Sequence, residues 1–389
     1  MCARTATYRT RLAVLAVVKS LESLVRPAVR SLKPYAPGTT VQQAKARFGL
    51  RNVIKLSSNE NPLGASPRAM AALASIPNAN IYVDDDHTEL RTRLGALAGL
   101  TKDSIVVGHG SNDVFMTLFA TFVGPGDEVV HADPTFSLFA LDTALFEGTS
   151  VRVPLRDGVH DLDAMLAAVG PRTKLVVVCD PNNPTGTMVD PAAFAAFAAA
   201  LPPDVLLVID QAYREYMPEP SVDGFAYVRS RPRTIVLRTM SKLYGLASLR
   251  FGYAVAEPEV AAFMQRVRLP FNVSRPAAIA ALAALDDYEF LRRSLETNET
   301  GKAYLMHEFT RLGLFFYPSA TNFIAVRVPV SATQAYEALL ERGIVVRSGD
   351  GLGLPNFLRI TIGTQRENEQ LIEAFDALAP AWPSLRQPA

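Results

Sequence analysis

The chain predicts an α/β fold: a mainly parallel seven-stranded sheet covered by helices on both faces, joined to a smaller α/β domain. Three observations carry this reading. Short β-branched runs recur near 104–108, 128–132, 150–154, 174–179, 204–209, 234–238 and 251–256. Between them lie segments with helical periodicity or alanine-rich composition, such as 190–201, and strands that alternate with helices in this way build parallel sheets. Finally, 389 residues with 49% hydrophobic content suffice for a large core and for two domains.

In chain order, residues 1–52 read as an N-terminal arm that partly joins the smaller domain. The first thirty residues are rich in arginine, lack an acid before Glu22 and contain the apolar run Leu-Ala-Val-Leu-Ala-Val-Val at 12–18. That run is too short to span a bilayer and its cleavage context is poor, so an added helix or a start assigned too far upstream is preferred over a signal or transit peptide. Residues 53–285 hold the seven strand-like runs and form the large domain. Residues 286–389 form the smaller one, with a long helix over 286–312, strand-like runs at 323–328, 343–347 and 358–362, and a closing helix from 366 to about 378. No internal repeat or low-complexity linker is present.

Composition narrows the function. A formal net charge of +1 gives no electrostatic footprint for nucleic acid or an anionic membrane. Of the two cysteines, Cys2 lies at the terminus and Cys179 inside a predicted buried strand, so no disulfide framework exists and a reducing cytoplasm fits best. The five histidines, at 87, 109, 131, 160 and 307, lack metal-ligand spacing, and we expect no metal site.

The chemistry concentrates at strand ends. Lys242 lies in Thr-Met-Ser-Lys-Leu-Tyr-Gly-Leu-Ala-Ser-Leu-Arg (239–250), flanked by hydroxyls and glycine, with Arg250 eight residues on. A lysine amine attacks carbonyls only when it can shed its proton, which desolvation and a neighbouring cation promote. Arg250 supplies that cation and can also grip a phosphate. Three further clusters end predicted strands: Gly-His-Gly-Ser-Asn (108–112), Asp-Pro-Asn-Asn-Pro-Thr-Gly (180–186) and Asp-Gln-Ala-Tyr (210–213). In open α/β sheets that edge is where ligands bind. Gly110, Ser111 and Asn112 stand where a strand turns into a helix, so their free amides and the helix dipole face an anion.

With these motifs in hand, the chain resembles the class I/II aminotransferases of the pyridoxal-phosphate-dependent fold type I, and among them the histidinol-phosphate aminotransferases. The likeness runs from about Arg26 to about Ala379. Its strongest segments are Leu-Ser-Ser-Asn-Glu-Asn-Pro-Leu-Gly (56–64), Asn-Asn-Pro-Thr-Gly, Ser-Lys-Leu-Tyr-Gly-Leu-Ala-Ser-Leu-Arg-Phe-Gly and Leu-Arg-Ile-Thr-Ile-Gly-Thr (358–364). Any one of these can arise by chance; four in family order point to one coenzyme, pyridoxal 5'-phosphate.

The resemblance implies a role for each site residue. Lys242 forms a Schiff base with the coenzyme, and Asp210 keeps the coenzyme's ring nitrogen protonated. Tyr213 and Asn183 donate to its phenolic oxygen. Thr239, Ser241 and Arg250 complete the phosphate cup begun by Gly110, Ser111 and Asn112, and Phe136 stacks on the ring. Tyr82 crosses from a partner subunit to the phosphate, which implies a homodimer with composite sites. Arg359 binds the substrate carboxylate or phosphate bidentately, Arg347 lies near a second phosphate-binding arginine, and Tyr35 belongs to a segment that closes over the ligand. The implied reaction moves an amino group from histidinol phosphate to 2-oxoglutarate by ping-pong kinetics. An aromatic amino-acid donor is the alternative, and a decarboxylase or lyase on the same fold is the second. The chain departs from the family pattern at Asn112, Gln211 and Gln42, where acids are usual; this is expected to alter charge around the pocket rather than coenzyme chemistry.

Overall fold

The computed structural model describes residues 21–32, 38–76 and 79–382. Twelve strands are present among them: β1 Ile54–Lys55, β2 Ile105–His109, β3 Glu128–Asp133, β4 Thr149–Pro154, β5 Thr173–Cys179, β6 Leu206–Asp210, β7 Thr234–Thr239, β8 Phe251–Ala256, β9 Phe323–Arg327, β10 Ile344–Val345, β11 Arg347–Ser348 and β12 Phe357–Thr361. Strands β2–β8 form one sheet in the order β2-β8-β7-β6-β5-β3-β4. All pairs are parallel except those of β8, which runs against both β2 and β7.

Alternation along the central strands divides the core between the two faces of this sheet. Val176, Val178, Leu207, Ile209 and Val236 point to one side, where the helices Pro67–Ala74, Thr88–Leu97, Pro191–Ala200 and Arg275–Leu285 cover them. Leu175, Val177, Cys179, Val208 and Leu237 point to the other, beneath the helices Ser111–Phe122, Leu138–Leu145 and Pro258–Val267. Each such side chain contributes roughly 1.5–3 kcal/mol when fully buried. The strand ends are therefore held by a core that resists local movement.

A second core lies among β9, β12 and the helices Tyr288–Arg311, Ala332–Glu341 and Gln365–Leu378. The sheet there has the order β11-β12-β9, antiparallel throughout. Two of its helices start with reciprocal caps, Ser331 with Gln334 and Thr364 with Glu367, each satisfying two otherwise orphaned amides. The run expected as one strand over 343–347 is divided: β10 pairs parallel with β1, whereas β11 pairs with β12. Beyond β1, Leu56 is buried in this second core and its amide donates to Val345. The stretch that follows, 57–60, is thereby laid along β12.

Candidate active site

The carboxyl edge of the large sheet opens on a cavity of about 460 Å³. It is lined by Ser111, Asn112, Phe136, Asn183, Asp210, Tyr213, Thr239, Ser241, Lys242, Arg250, Arg347 and Arg359 from the set expected from sequence. The reversal of β8 explains why Arg250 joins them: it precedes an antiparallel strand, so it emerges at the edge where the parallel strands end. Gly110 lies just behind the wall. Its φ is +78°, and a Cβ there would come within 2.4 Å of Arg250 Nη2, so only glycine lets that guanidinium approach the helix start at Ser111. Gly252 serves the same approach from β8, because a Cβ there would meet the Ser111 amide nitrogen at 2.3 Å.

Lys242 points its amine into the cavity, 3.4 Å from the Ser58 carbonyl and 5.6 Å from the centre of the Tyr213 ring. Protein crowds the amine on its other sides. Loss of solvation, then the Arg359 and Arg250 guanidinium groups, push its pKa down to about 7, against the opposing pull of Glu60 and Asp210. Near neutrality a large share of this lysine is the free amine, the state a carbonyl requires.

Asp210 ends β6 directly beside Cys179 of β5. Burial pushes its carboxyl up to about 7. One oxygen accepts from the Ala212 amide at 3.1 Å and the other faces Cys179 Sγ at 3.8 Å. Such a carboxyl is poorly satisfied alone and gains most from a cationic N–H brought opposite it. Asn183 accepts from Arg359 Nη1 through its Oδ1 at 2.7 Å, which leaves its NH2 group as the end free to donate elsewhere. Phe136 is half-buried, held edge-on by Phe139, with a face toward the cavity.

Arg347 and Arg359 are cross-strand partners, Arg347 on β11 directly opposite Arg359 on β12. Residues so placed project to the same face, where like charges repel. An arrangement that brings two guanidinium groups together in a cavity is stabilised by an anion carrying more than one charge. Arg359 also donates to the Ser57 carbonyl at 2.8 Å, which aims its fork into the pocket.

One expected residue lies elsewhere. Tyr82 is 77% exposed and outside the cavity, its ring stacked on Phe271 at 4.5 Å. Tyr35 lies outside the described residues, as does the apolar run at 12–18. Of the three amide departures only Asn112 lines the pocket. Gln211 is buried away from it, donating to the Val222 carbonyl, and Gln42 is on an exposed helix face, so the expectation of altered pocket charge applies at one position rather than three. The sequence reading also passed over a wall made of Gly38, Ser57, Ser58, Asn59 and Glu60. The motif at 56–64 was visible; its place in the pocket depends on the long-range pairing of β1 with β10.

The family model described as aminotransferase class I and II matches residues 51–375. The chain belongs to this family.

Among its relatives, a histidinol-phosphate aminotransferase of Moorella thermoacetica is 45% identical over 352 residues, covering 90% of this chain and 91% of that protein. Histidinol-phosphate aminotransferase 2 of Ralstonia nicotianae is 44% identical over 361 residues, 91% of this chain and 96% of that one. Among solved structures, the histidinol-phosphate aminotransferase of Sinorhizobium meliloti in complex with pyridoxal-5'-phosphate superposes with a TM-score of 0.84 at 28% identity, covering 94% of this chain and 99% of that chain. The cavity of the present aminotransferase fits such a coenzyme on its own chemistry. It offers a lysine amine near its titration point, an under-satisfied buried carboxyl and a glycine-backed helix start beside an arginine.

Proposed function

We propose that this aminotransferase uses pyridoxal 5'-phosphate to move the amino group of histidinol phosphate to a 2-oxo acid, 2-oxoglutarate, by ping-pong kinetics. The observation that carries the reading is the cross-strand pair Arg347 and Arg359 facing the Lys242 amine across one cavity. A donor that presents a phosphate dianion a few bonds from its amine suits two guanidinium groups and an amine lining one cavity. The relatives bearing that name at 44–45% identity support the same donor.

When bound, the coenzyme supplies an electron sink for the pair left behind as a proton leaves the donor's amine-bearing carbon. Lys242 Nζ takes that proton and returns it on the coenzyme side as general base and then acid, for which a pKa near neutrality is suited. Asp210 would hold the proton on the ring nitrogen. Asn183 and Tyr213 would donate to the phenolic oxygen, and Phe136 would cover the ring. The amides of Ser111 and Asn112, the hydroxyls of Thr239 and Ser241, and the Arg250 guanidinium hold the phosphate. Both half-reactions use the same arginines and the same lysine, so the first product leaves before the second substrate enters. That sharing supports ping-pong order.

We further propose a homodimer in which Tyr82 completes the partner's phosphate cup, supported by its exposed ring beside the exposed Ile81, Leu269 and Phe271. No helix among the described residues is long and apolar enough to cross a membrane. A cytoplasmic setting is part of the same proposal. The test is a donor panel of histidinol phosphate, phenylalanine, tyrosine and aspartate with 2-oxoglutarate, ranked by kcat/KM with glutamate as the measured product. Histidinol phosphate should rank first. Preference for phenylalanine or tyrosine would reassign the donor, and carbon dioxide without glutamate would reassign the reaction.

A further inference from the structure

The Tyr213 hydroxyl has one proton, and its use to the coenzyme depends on where that proton points. A phenol oxygen both donates and accepts. Asn59 Nδ2 lies 2.7 Å from it and donates to it, which uses the oxygen as an acceptor and leaves the O–H to be directed elsewhere. Which way round the Asn59 amide sits is decided by Thr361. The Thr361 hydroxyl oxygen accepts from the Asn59 backbone N–H at 2.9 Å, and its own proton goes to Asn59 Oδ1 at 3.2 Å. Among the described residues no other acceptor takes that proton. Turning the amide over would leave a buried hydroxyl proton unpaired and would let Asn59 capture the tyrosine proton.

The backbone agrees with the side chain. Asn59 has φ +56°, a left-handed conformation that asparagine tolerates better than most side chains, and Asn322 Nδ2 holds its carbonyl at 3.0 Å. It is 1% exposed. Tyr213 lines the cavity beside Lys242, so the cavity is the direction left open to its hydroxyl proton.

We infer that Asn59 is a positioning residue, locked by Thr361 and Asn322, that turns the Tyr213 hydroxyl proton toward the coenzyme's phenolic oxygen. The inference rests on the proposed coenzyme. Its consequence is specific: the donated proton stabilises the ionised oxygen, and so keeps the coenzyme-bound lysine from gaining a proton until the pH is lower.

The test is an absorbance pH titration of the coenzyme-loaded enzyme. In Asn59→Asp a carboxylate stands where the amide donated, and it accepts the tyrosine proton instead. The titration midpoint should rise by about one pH unit, tenfold in proton affinity, matching Tyr213→Phe. Added to Tyr213→Phe, the same substitution should move it by less, through the new charge alone. Asn59→Gly, which the left-handed backbone accepts, frees the hydroxyl without capturing its proton and should raise the midpoint by less; it keeps the test decisive should the aspartate variant fail to fold. An unchanged midpoint in the glycine variant, or equal shifts with and without the Tyr213 hydroxyl, overturns the role of Asn59. A wild-type protein that shows no coenzyme band overturns the proposed function itself.

Discussion

The two walls of the cavity are built differently. On the large-sheet side, Ser111, Asn183, Asp210, Thr239 and Lys242 each sit within a few residues of a strand that is buried on both faces. On the other side, the 57–60 stretch meets Arg347 and Arg359 only because β1 pairs with β10 and Arg359 binds the Ser57 carbonyl, contacts that join residues about three hundred positions apart, while β11 pairs with β12 to set the two arginines opposite each other. The first wall is a row of short local motifs on a rigid edge. The second is an assembly, whose parts mean little until the chain has folded. On the proposed function, coenzyme chemistry is fixed by local sequence while choice of donor depends on tertiary contacts, and substitutions on the two walls should fail in different ways.

The largest effect belongs to Lys242. Replacing it with alanine should lower turnover by about 10³-fold or more, since a positioned acid–base group contributes roughly 10²–10⁴. Coenzyme binding should persist in part through Arg250 and the Ser111 helix start. Equilibrium dialysis with the phosphorylated coenzyme, alongside single-turnover kinetics, separates the two. A variant with near-normal rates would remove the lysine from the mechanism.

Asp210→Asn sharpens the contrast by opposing activity to stability. Without a carboxylate to hold the ring proton, kcat should fall by about 10²–10³-fold. In the coenzyme-free protein, burial pushes Asp210 from an unfolded value of 3.8 up to about 7. The folded state therefore binds this proton more tightly than the unfolded state, and the associated stability is full below about pH 4 and lost as pH rises to about 7. Thermal melts of coenzyme-free protein should show the asparagine variant more stable than wild type at pH 8, with the gain shrinking toward pH 4. Asp142 and Asp180, also buried and raised to about 7, will make the wild-type curve steeper than one group allows.

Arg347→Ala should give the smallest and most selective change. Loss of one charged contact should lower kcat/KM for histidinol phosphate by about 10- to 100-fold and leave donors without a phosphate nearly unaffected. Equal losses for both kinds of donor would mean that Arg347 supports the wall rather than reading the ligand.

The same division explains what could be read from the chain. All seven strands of the large sheet fall within two residues of their β-branched runs; in six of them burial on both faces demands continuous apolar sequence, whereas the edge strand β4 is largely exposed and alternates apolar with polar residues. The cup residues were visible because glycines, hydroxyls and acids interrupt those runs at their carboxyl ends. The direction of β8 was not visible, since a buried strand has the same composition whichever way it runs. Nor was the division of 343–347: Val345 and Arg347 belong to different sheets, and only the partners across the gap decide that. Asn59 was seen as part of a motif but given no task, for its value lies in Thr361 and Tyr213, which are far off in sequence.

The reversal of β8 has one more effect. Because β7 and β8 pair antiparallel, residues 240–250 form a single link clamped at both ends by the sheet, and that link carries both Lys242 and Arg250. Lys242 and Arg250, the proposed reactive nitrogen and phosphate anchor, are thereby held like the two jaws of a caliper, at a separation set by one short span of backbone. On this proposal, a vitamin aldehyde lacking its phosphate would meet one jaw without the other.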